Sequence, residues 1–459
     1  MLYECLKLWR IRNIMQVSNT RIVLHTSCVN YKMDDLKNMF SLEFKFIIPQ
    51  DVYYELRLLA KSKIFGLKAN YILQNVQSQA TSNIWDLSQV YKNCKNPILY
   101  SDIYGGNLIF IFGDLNKIDE FLNHSSRGNN IYILLPPVTW SCISGNCVIM
   151  ELNTAQKYRL RKVKPLVPGR TIDKLQKSNC VYKNRKKDFP IPGYLFQSTG
   201  KCGSNAYIYT CPQLPGLLIK GYKKLSMIES QKEKLQLLQK FGSRVPDLNC
   251  AFPVDLLYDY PSSIVGYSMK PIVGKLLREH LIIGWDGHDL GKVFENLLLI
   301  ILELHTMHIH VNDLSFNNVL IDTNDNVGFV DCDSFQITNY PGGGITKIYQ
   351  HPEISDAEFS TKLREPRHEY FALAILLFQC IFGDEPLRQV QFASDDTELN
   401  WNTATFPLQI DDYSSKSNKS IQAIWFKQPR ELRKAFFDEF TFMQDISIGS
   451  WVHILGIIN

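Results

Sequence analysis

The sequence predicts two folded domains, an α/β domain with a parallel sheet followed by a larger α+β domain. At 459 residues, the chain is longer than one ordinary hydrophobic core organises. Residues 20–155 alternate between apolar strands and amphipathic helices, a pattern typical of a parallel sheet covered by helices. Residues 190–459 place most of their strands before the long apolar helices, which indicates an α+β domain. The basic stretch 156–189 lies between the two as a predicted linker.

Composition limits the function classes that the chain fits. A hydrophobic fraction of 45% is that of a globular protein, and a net charge of +5 is too small to indicate nucleic-acid binding by the whole chain. The 11 cysteines are odd in number and irregularly spaced, which argues against a disulfide framework and favours a reducing compartment. No apolar run approaches the roughly 20 residues of a membrane span, and residues 1–10 lack the pattern of a signal peptide. We therefore expect a cytoplasmic protein without membrane contact.

In the first domain, four apolar segments are predicted strands: Arg21–His25, Phe44–Pro49, Asn107–Asp114 and Ile131–Leu135. The segment Asp51–Lys61, after the second strand, carries apolar residues at helical spacing. Strands that alternate with helices usually run parallel, because each crossover helix returns the chain to the same end of the sheet. The expected architecture is therefore a parallel α/β layer.

Polar residues follow three of these strands. They are Thr26 and Ser27 after the first strand, Glu55 after the second and Asp114 at the end of the third. This order resembles the PIN family of metal-dependent ribonucleases, in which acids at the carboxyl ends of strands hold magnesium or manganese. The resemblance implies a PIN-like domain with a metal site at Glu55 and Asp114, and His25 stands where the first family acid is expected.

The replacement by His25 leaves the chemistry of this first domain open. Imidazole is a poorer ligand than carboxylate for magnesium, although it binds manganese, and Asp102 is a candidate for a third acid. In the alternative interpretation the PIN-like domain, residues 1–155, is degenerate. Glu55 then caps or solvates a helix face, and Asp114 is a helix N-cap.

The stretch 156–189 is dominated by Lys and Arg, with Asp173 as its one acid before Asp188. Clustered cations can contact RNA phosphates in a salt-sensitive and sequence-independent way, together with the first domain. A charged run of this kind is also typical of a solvated connection between domains. We assign it as a basic linker, with RNA contact as the alternative.

The second domain is organised around residues 310–333. Asp313 is followed five residues later by Asn318, and Asp331 ends a strand thirteen residues beyond. Asp313 can orient the proton of an attacking hydroxyl, and the other two can hold magnesium against nucleotide phosphates, because magnesium prefers hard oxygen ligands. The turn residues 322–326 between apolar runs predict a hairpin that returns Asp331 to the loop. This is a phosphoryl-transfer arrangement, and a surface hairpin that carries acids is its alternative.

The motif resembles the catalytic loop and metal-binding segment of protein kinases, and most of all a bacterial branch of kinase-like domains that is often fused to other modules. Three departures stand out. Asn312 replaces the Arg of many kinases, Ser315 replaces the Lys usual in Ser/Thr kinases, and Cys332-Asp333 replaces Phe-Gly. The acceptor and the switching of the domain are therefore open.

Upstream of this motif, the resemblance assigns the parts of a nucleotide-binding small lobe. Gly203 lies in a hairpin whose backbone amides would cover the phosphates, because glycine permits close approach. Lys220 ends an apolar strand and would contact the α- and β-phosphates, held in place by the helix carboxylate of Glu233, with Glu229 as the second candidate. The backbone at Met269 would pair with adenine. Without a glycine hairpin before it and the Asp313 motif after it, a lysine that ends a strand is more often a surface charge.

The small lobe, residues 190–270, is followed by a large lobe, residues 271–459. Two long apolar helices are predicted within it, at 290–304 and 369–378. Three histidines follow the first of them: His305, His308 and His310. Because they lie directly before the catalytic loop, we interpret them as packing residues and not as a metal cluster.

The resemblance implies an ATP-dependent protein kinase that transfers the γ-phosphoryl group to a hydroxyl, with Ser or Thr of a protein as acceptor. Its cofactors would be ATP and Mg²⁺, with Asp313 and Lys220 catalytic and Asn318 and Asp331 as metal ligands. Three alternatives remain open: a pseudokinase scaffold that binds nucleotide without transfer, a PIN-type ribonuclease regulated by the kinase half, and a kinase that acts on a small molecule.

Overall fold

The structure is a computed structural model. The residues that it describes are 21–40, 45–79, 84–85, 108–111, 131–134, 141–144, 147–149, 180–183, 188–203, 206–223, 232–259, 263–344, 346–355, 358, 361–393, 401, 405–414 and 417–457. The chain divides into two compact units. The first unit comprises Met1–Arg161 with Ser447–Asn459, and the second unit comprises Lys162–Ile446.

A seven-stranded sheet forms the first unit. Its strands are β1 (Arg21–Leu24), β2 (Lys45–Pro49), β3 (Ile84–Trp85), β4 (Leu108–Ile111), β5 (Ile131–Leu134), β6 (Ser141–Ser144) and β7 (Cys147–Ile149). They lie in the order β3-β2-β1-β4-β5-β7-β6, and all neighbours pair parallel except β6 with β7. The carboxyl ends of β1 and β2 therefore meet at one edge of the sheet.

Within the described part of residues 21–149, the helices that accompany this sheet are α1 (Met33–Phe40), α2 (Gln50–Leu59) and α3 (Gly66–Gln79). Apolar residues at helical spacing on α2 are buried, among them Leu56 and Leu59, and α3 buries Ile72 and Val76 in the same way. The helix predicted at Asp51–Lys61 is thus present as α2, and its apolar face lies in the core.

An antiparallel sheet of seven strands opens the second unit. The strands are β8 (Cys180–Lys183), β9 (Asp188–Ile191), β10 (Gln197–Cys202), β11 (Ala206–Thr210), β12 (Leu218–Tyr222), β13 (Pro253–Asp259) and β14 (Ser263–Met269), in the order β10-β11-β12-β14-β13-β8-β9. Helix α4 (Lys232–Gly242) connects β12 to β13.

The structure corrects the predicted extent of the basic linker. The sequence placed residues 156–189 between the domains, whereas β8 pairs with β13 and β9 pairs with β8 inside the sheet of the second unit. Lysines beside β8 suggested a solvated run, but the backbone groups of Cys180–Lys183 are satisfied by antiparallel pairing with β13.

The remaining helices of the second unit are α5 (Leu277–Ile283), α6 (Leu290–Thr306), α7 (Pro366–Phe382), α8 (Pro386–Ala393), α9 (Lys419–Trp425) and α10 (Arg430–Phe442). Short strands lie between them: β15 (Lys275–Leu276), β16 (Ile309–His310), β17 (Val319–Ile321), β18 (Val327–Phe329) and β19 (Gln336–Ile337). Helices α6 and α7 contain the two predicted apolar helices, and α7 is buried along nearly its whole length. The α+β organisation expected for this stretch is confirmed.

The last helix of the chain, α11 (Ile448–Ile454), belongs to the first unit. A Cβ atom at Gly449 would lie 2.0 Å from the carbonyl oxygen of Asp51 on α2, so the two helices approach closely there. The rings of Tyr54 and His453 stack with centroids 4.7 Å apart. The sequence had placed this helix in the large lobe, and the structure corrects that boundary, because α11 packs on a partner nearly four hundred residues earlier in the chain.

None of the helices in the described part of the chain combines the length and apolarity that a bilayer crossing requires.

Candidate active site

The loop between β16 and β17 is anchored by a buried carboxylate of α7. The amide N–H of Asn312 donates to Glu369 Oε1 at 2.6 Å, and His305 Nε2 lies 2.6 Å from Glu369 Oε2. Arg364 donates from its guanidinium to the Asn312 carbonyl at 2.8 Å. Asn312 itself has φ of +62°, a left-handed conformation that these contacts hold in place.

Asp313 has three hydrogen-bond donors around its carboxylate. Asn318 donates from Nδ2 to Asp313 Oδ2 at 2.9 Å, and the amide and hydroxyl of Thr346 donate to Oδ1 at 2.8 and 3.0 Å. A carboxylate offers about four lone-pair sites, so Oδ2 has room for one further donor. The loop thus brings Asp313 and Asn318 together, as the spacing predicted.

The hairpin of β17 and β18 returns the chain to this loop. Asp322 Oδ1 accepts from the amides of Asn324 and Asn326 at 2.8 and 2.9 Å, which closes the turn. The amide of Val330 then donates to the Asn318 carbonyl at 3.0 Å. Asp331, the next residue, is therefore held beside Asn318, and its side chain is 46% exposed.

Lys220 on β12 is buried between two carboxylates. Its Nζ lies 2.6 Å from Asp333 Oδ1 and 3.2 Å from Asp331 Oδ1. Burial works to lower the pKa of Lys220, but the negative charges of Asp333 and Asp331 outweigh it and raise that pKa above its usual value. Burial likewise works to raise the pKa of Asp333, and the ammonium of Lys220 outweighs it, so that the pKa is lowered. Both groups are therefore charged at neutral pH.

The carboxylate expected to hold Lys220 does not do so. Glu233 lies on the exposed side of α4, and its Oε2 accepts from the hydroxyl of Tyr340. The buried side of this helix carries Lys234, Leu235 and Leu238, and one residue of an α-helix turns the side chain by about 100°. Asp333 takes the place predicted for Glu233, while Glu229 lies outside the described residues.

Lys234 is a second cation near Asp333, in a different electrostatic situation. Its side chain is completely buried, and Nζ has no hydrogen-bond partner among the described residues. Burial lowers the pKa of Lys234 to about 7, although the charge of Asp333 acts in the opposite direction. An ammonium in this position is only partly stabilised by its surroundings.

The other two predicted nucleotide contacts lie at the ends of small-lobe strands. The amide of Gly203 donates to the Ala206 carbonyl at 2.9 Å, and residues 204–205 between them are outside the described part of the chain. Met269 is buried at the end of β14, where it pairs with Leu218 of β12. A cavity of about 330 Å³ lies at this end of β12, with Leu218 and Pro271 in its lining.

Several residues of the site were absent from the sequence prediction. They are Asp333, Tyr222, Tyr267, Thr346 and Arg364. One signal was available for Tyr222, which follows Lys220 by two residues and so lies on the same face of the strand. Asp333 follows Asp331 by two residues, but it lies in a 3-10 helix and not in a strand, and nothing local indicates that it would contact Lys220.

In the first unit, Glu55 lies in a polar cluster at the end of β1. Its buried carboxylate accepts from the Thr26 hydroxyl, and His25 Nδ1 accepts from the Ser27 amide at 3.1 Å. The nearness of Thr26 and Glu55 follows from the parallel pairing of β1 with β2. Asp114 and Asp102 lie outside the described residues, so the second predicted metal site stays a prediction.

Among the described residues, two groups of side chains have metal-ligand composition: His305, His310 and Glu369, and His351, Glu353 and His368. In the first group, Glu369 already accepts from the Asn312 amide and lies beside His305, which agrees with a packing role. In the second, Nδ1 of each histidine accepts from a backbone amide, so the neutral ring carries its hydrogen on Nε2. A ring with that tautomer does not present Nε2 to a cation.

No protein-family model matches this sequence, and no curated protein matches it. Among solved structures, the ROP18 kinase domain in complex with AMP-PNP and sucrose is similar over 66% of this chain and 91% of its own, at 13% identity and a TM-score of 0.37. A Toxoplasma gondii specific rhoptry antigen kinase domain is similar over 66% of this chain and 87% of its own, at 12% identity and a TM-score of 0.40. Likeness at these TM-scores does not assign an activity. The antiparallel sheet and the helices that follow it in the chain make the second unit an α+β arrangement.

Proposed function

We propose that the second unit is an ATP-dependent protein kinase that transfers the γ-phosphoryl group of ATP to a hydroxyl of Ser or Thr. The observation that supports this most directly is the meeting of four groups. Asp313 is hydrogen-bonded to Asn318, and the Asn318 carbonyl accepts from the amide of Val330. The next residue, Asp331, places Oδ1 3.2 Å from Nζ of the buried Lys220. An acid, an amide, a second acid and a lysine in one place are the groups that phosphoryl transfer uses.

Asp313 would orient the acceptor hydroxyl. Thr346 occupies Oδ1 with two donors and Asn318 occupies one position on Oδ2, so the incoming hydroxyl would donate to Oδ2. A carboxylate held on both oxygens keeps one orientation, which is what positioning a nucleophile requires. The acceptor's proton would pass to this oxygen as the new O–P bond forms and the bond between the γ-phosphorus and the bridging oxygen of ATP breaks, with ADP as the leaving group.

The donor set fits magnesium. Asn318 directs Nδ2 to Asp313, which leaves the amide oxygen as its ligand atom, and Asp331 adds a half-exposed carboxylate. Both are hard oxygen donors, the kind that magnesium prefers. When bound, the ion would neutralise charge on the phosphate oxygens. Lys220 would contribute a fixed positive charge to the same phosphates.

The test is transfer of label from γ-labelled ATP, with magnesium, to the protein itself and to generic protein substrates. Asp331→Asn and Asp313→Asn should each lower labelling by about a hundredfold or more, because each removes a group that acts in the transition state. Asp313→Asn should keep its thermal stabilisation by AMP-PNP. Absence of label from the wild type, together with stabilisation by AMP-PNP, would reject the kinase in favour of a nucleotide-binding scaffold.

One observation favours the scaffold alternative. Ser315, at the position where Ser/Thr kinases usually have Lys, is completely buried, and its hydroxyl has no partner among the described residues. The site therefore has no cation from this position to neutralise the transferred phosphoryl group. Ser315→Lys is the direct probe: greatly increased labelling would identify this position as the limitation of a weak kinase.

For the first unit we propose a PIN-like fold. Its parallel strands support this, as does Glu55, which accepts from the Thr26 hydroxyl at the end of β1. Ribonuclease activity would require a divalent cation at Glu55 and Asp114, and RNA contact would involve the basic residues before β8. Manganese-dependent cleavage of RNA that disappears in Asp114→Asn would support it, and cleavage that persists in this variant would reject it.

A further inference from the structure

The two carboxylates that contact Lys220 differ in exposure and in distance. Asp333 is the closer one, at 2.6 Å, and its side chain is only 10% exposed. Asp331 is farther, at 3.2 Å, and its side chain is 46% exposed. The inner carboxylate is therefore enclosed by protein, while the outer one is accessible to a ligand.

Asp333 is itself held by two hydroxyl groups of the sheet. Tyr222 donates to Oδ2 at 2.8 Å, and Tyr267 donates to Oδ1 at 2.9 Å. Tyr222 lies on the same strand as Lys220, and Tyr267 is paired directly opposite Lys220 on β14. The carboxylate is thus fixed to the two strands that also fix the lysine, by three charge-assisted hydrogen bonds.

A buried lysine needs a counter-charge that stays in place when its other contacts change. Asp331 is unsuited to this role, because in the proposed function it turns to magnesium and phosphate. Glu233 is unsuited because it lies on the exposed side of α4, with Tyr340 as its partner. Among the carboxylates that the structure describes around Lys220, Asp333 is the one that remains.

We propose that Asp333, held by Tyr222 and Tyr267, is the positioning residue that fixes Lys220 for binding nucleotide phosphates. The inference rests on the proposed function and assigns separate roles to the two acids. Asp331 would bind magnesium and the nucleotide phosphates, and Asp333 holds Lys220 in position. The helix carboxylate of Glu233 has no part in holding Lys220.

The experiment compares the affinity for AMP-PNP with magnesium across variants of the full chain. Asp333→Asn keeps the shape of the side chain but removes its charge, and should weaken binding about tenfold to a hundredfold. Asp333→Glu restores the charge and should recover part of the affinity. Tyr267→Phe, a milder change, should weaken binding a few-fold. Glu233→Gln should alter it less than twofold.

Two controls separate positioning from folding. Asp325, a buried acid paired with His288 away from this site, gives the matched variant Asp325→Asn, which should not change AMP-PNP affinity. The melting temperature without nucleotide shows whether Asp333→Asn is folded. If it does not fold, the AMP-PNP affinities of Tyr267→Phe and Asp333→Glu are compared with that of the wild type instead.

The outcomes are distinguishable. Unchanged affinity in Lys220→Met would overturn the proposed nucleotide site itself. Weakened affinity in Lys220→Met with unchanged affinity in Asp333→Asn and Tyr267→Phe would overturn the role of Asp333 alone. Tighter binding in Asp333→Asn would also overturn it, because Asp333 would then restrain the lysine from the phosphates. A loss of AMP-PNP affinity in Glu233→Gln as large as that in Asp333→Asn would assign the positioning of Lys220 to Glu233 on α4.

Discussion

At the scale of single residues, Lys220 and Lys234 show how partners decide the state of a buried lysine. Both are buried in the second unit and both have Asp333 nearby. Lys220 has two carboxylates within 3.2 Å, and its pKa is raised. Lys234 has no hydrogen-bond partner among the described residues, and burial lowers its pKa to about 7. Burial disfavours the charged form of both lysines, and only at Lys220 do the neighbouring carboxylates outweigh this effect.

Lys234→Met should stabilise the second unit at low pH. The folded pKa of Lys234 is about 7 and the reference value is 10.5, so the unfolded state binds more protons between these values. Wild-type stability should therefore rise with pH across this window, and below it the penalty is fully present. The gain in Lys234→Met should be a few kcal/mol at pH 6 and shrink as the pH approaches 10.

Denaturant unfolding between pH 6 and 9 would measure this gain. Lys240→Met, at an exposed position of the same helix, is the matched control and should show no such trend. A Lys234→Met protein that is less stable than wild type at pH 6 would contradict the prediction, since it would mean that the ammonium is well paired.

Thr346→Val should slow phosphoryl transfer and leave nucleotide binding unchanged. The substitution removes the hydroxyl donor at 3.0 Å from Asp313 Oδ1 and keeps the backbone donor at 2.8 Å. One lost hydrogen bond to a charged group corresponds to about a tenfold lower rate. Labelling rate and AMP-PNP affinity would be measured beside Thr361→Val, which removes an exposed hydroxyl that donates to the Glu358 carbonyl at 3.4 Å. Equal rates in the two variants would contradict this role.

At the scale of elements, the loop that carries Asp313 depends on a close approach between two loop segments. A Cβ atom at Gly342 would lie 1.6 Å from Nδ2 and 2.6 Å from Cβ of Asn312. Asn312 is buried, and its amide and carbonyl are both engaged, by Glu369 and Arg364. Because the Asn312 backbone is held, rotation of its side chain cannot relieve the 2.6 Å approach to its Cβ atom, and glycine is the residue that fits at 342.

Gly342→Ala should destabilise the second unit by about 1–3 kcal/mol and abolish most of the labelling activity, because the loop must shift to admit the methyl group. Gly291→Ala, at the start of α6, is the matched control, since the nearest atom to the Cβ position there, Asp289 Oδ1, lies 3.3 Å away. Thermal unfolding and labelling of both variants would measure the difference. Normal activity in Gly342→Ala would show that the loop tolerates the shift.

At the scale of the whole molecule, the chain passes from the first unit to the second and returns to the first at Ser447. The contact that brings it back is α11 on α2, where Gly449 lies against the Asp51 carbonyl. The two units are therefore linked twice along the chain, at Arg161 and at Ile446. Stability of the first unit is expected to depend on a segment that follows the whole second unit.

Gly449→Ala should destabilise the first unit and not the second. The added methyl group would lie 2.0 Å from the Asp51 oxygen, which separates α11 from α2 at a cost of about 1–3 kcal/mol. Calorimetry with and without AMP-PNP would assign the transitions, because the nucleotide should shift only that of the second unit. A fall in the AMP-PNP-sensitive transition alone would contradict this assignment of α11.

By itself, the sequence determined the features that depend on short stretches of chain. The loop from Asp313 to Asn318 and the hairpin to Asp331 follow from turn residues and apolar runs within about twenty residues of one another. Helices α6 and α7 follow from apolar runs. Lys220 was predicted from an apolar run that was expected to end at the lysine, whereas β12 continues to Tyr222. These local patterns were enough to place Asp313, Asn318 and Asp331 together. The fourth group of the candidate site, Lys220, comes from the distant strand β12.

Only the tertiary structure decided which distant groups meet. Lys220 contacts Asp333 and not Glu233, because the rotation of α4 directs Lys234 inward and Glu233 outward. The strand β8, inside the predicted linker, and the return of α11 to the first unit depend on pairings across long sequence separations. Sequence periodicity indicates that a side chain is buried, but the identity of its partner is set by packing between elements that the periodicity does not relate.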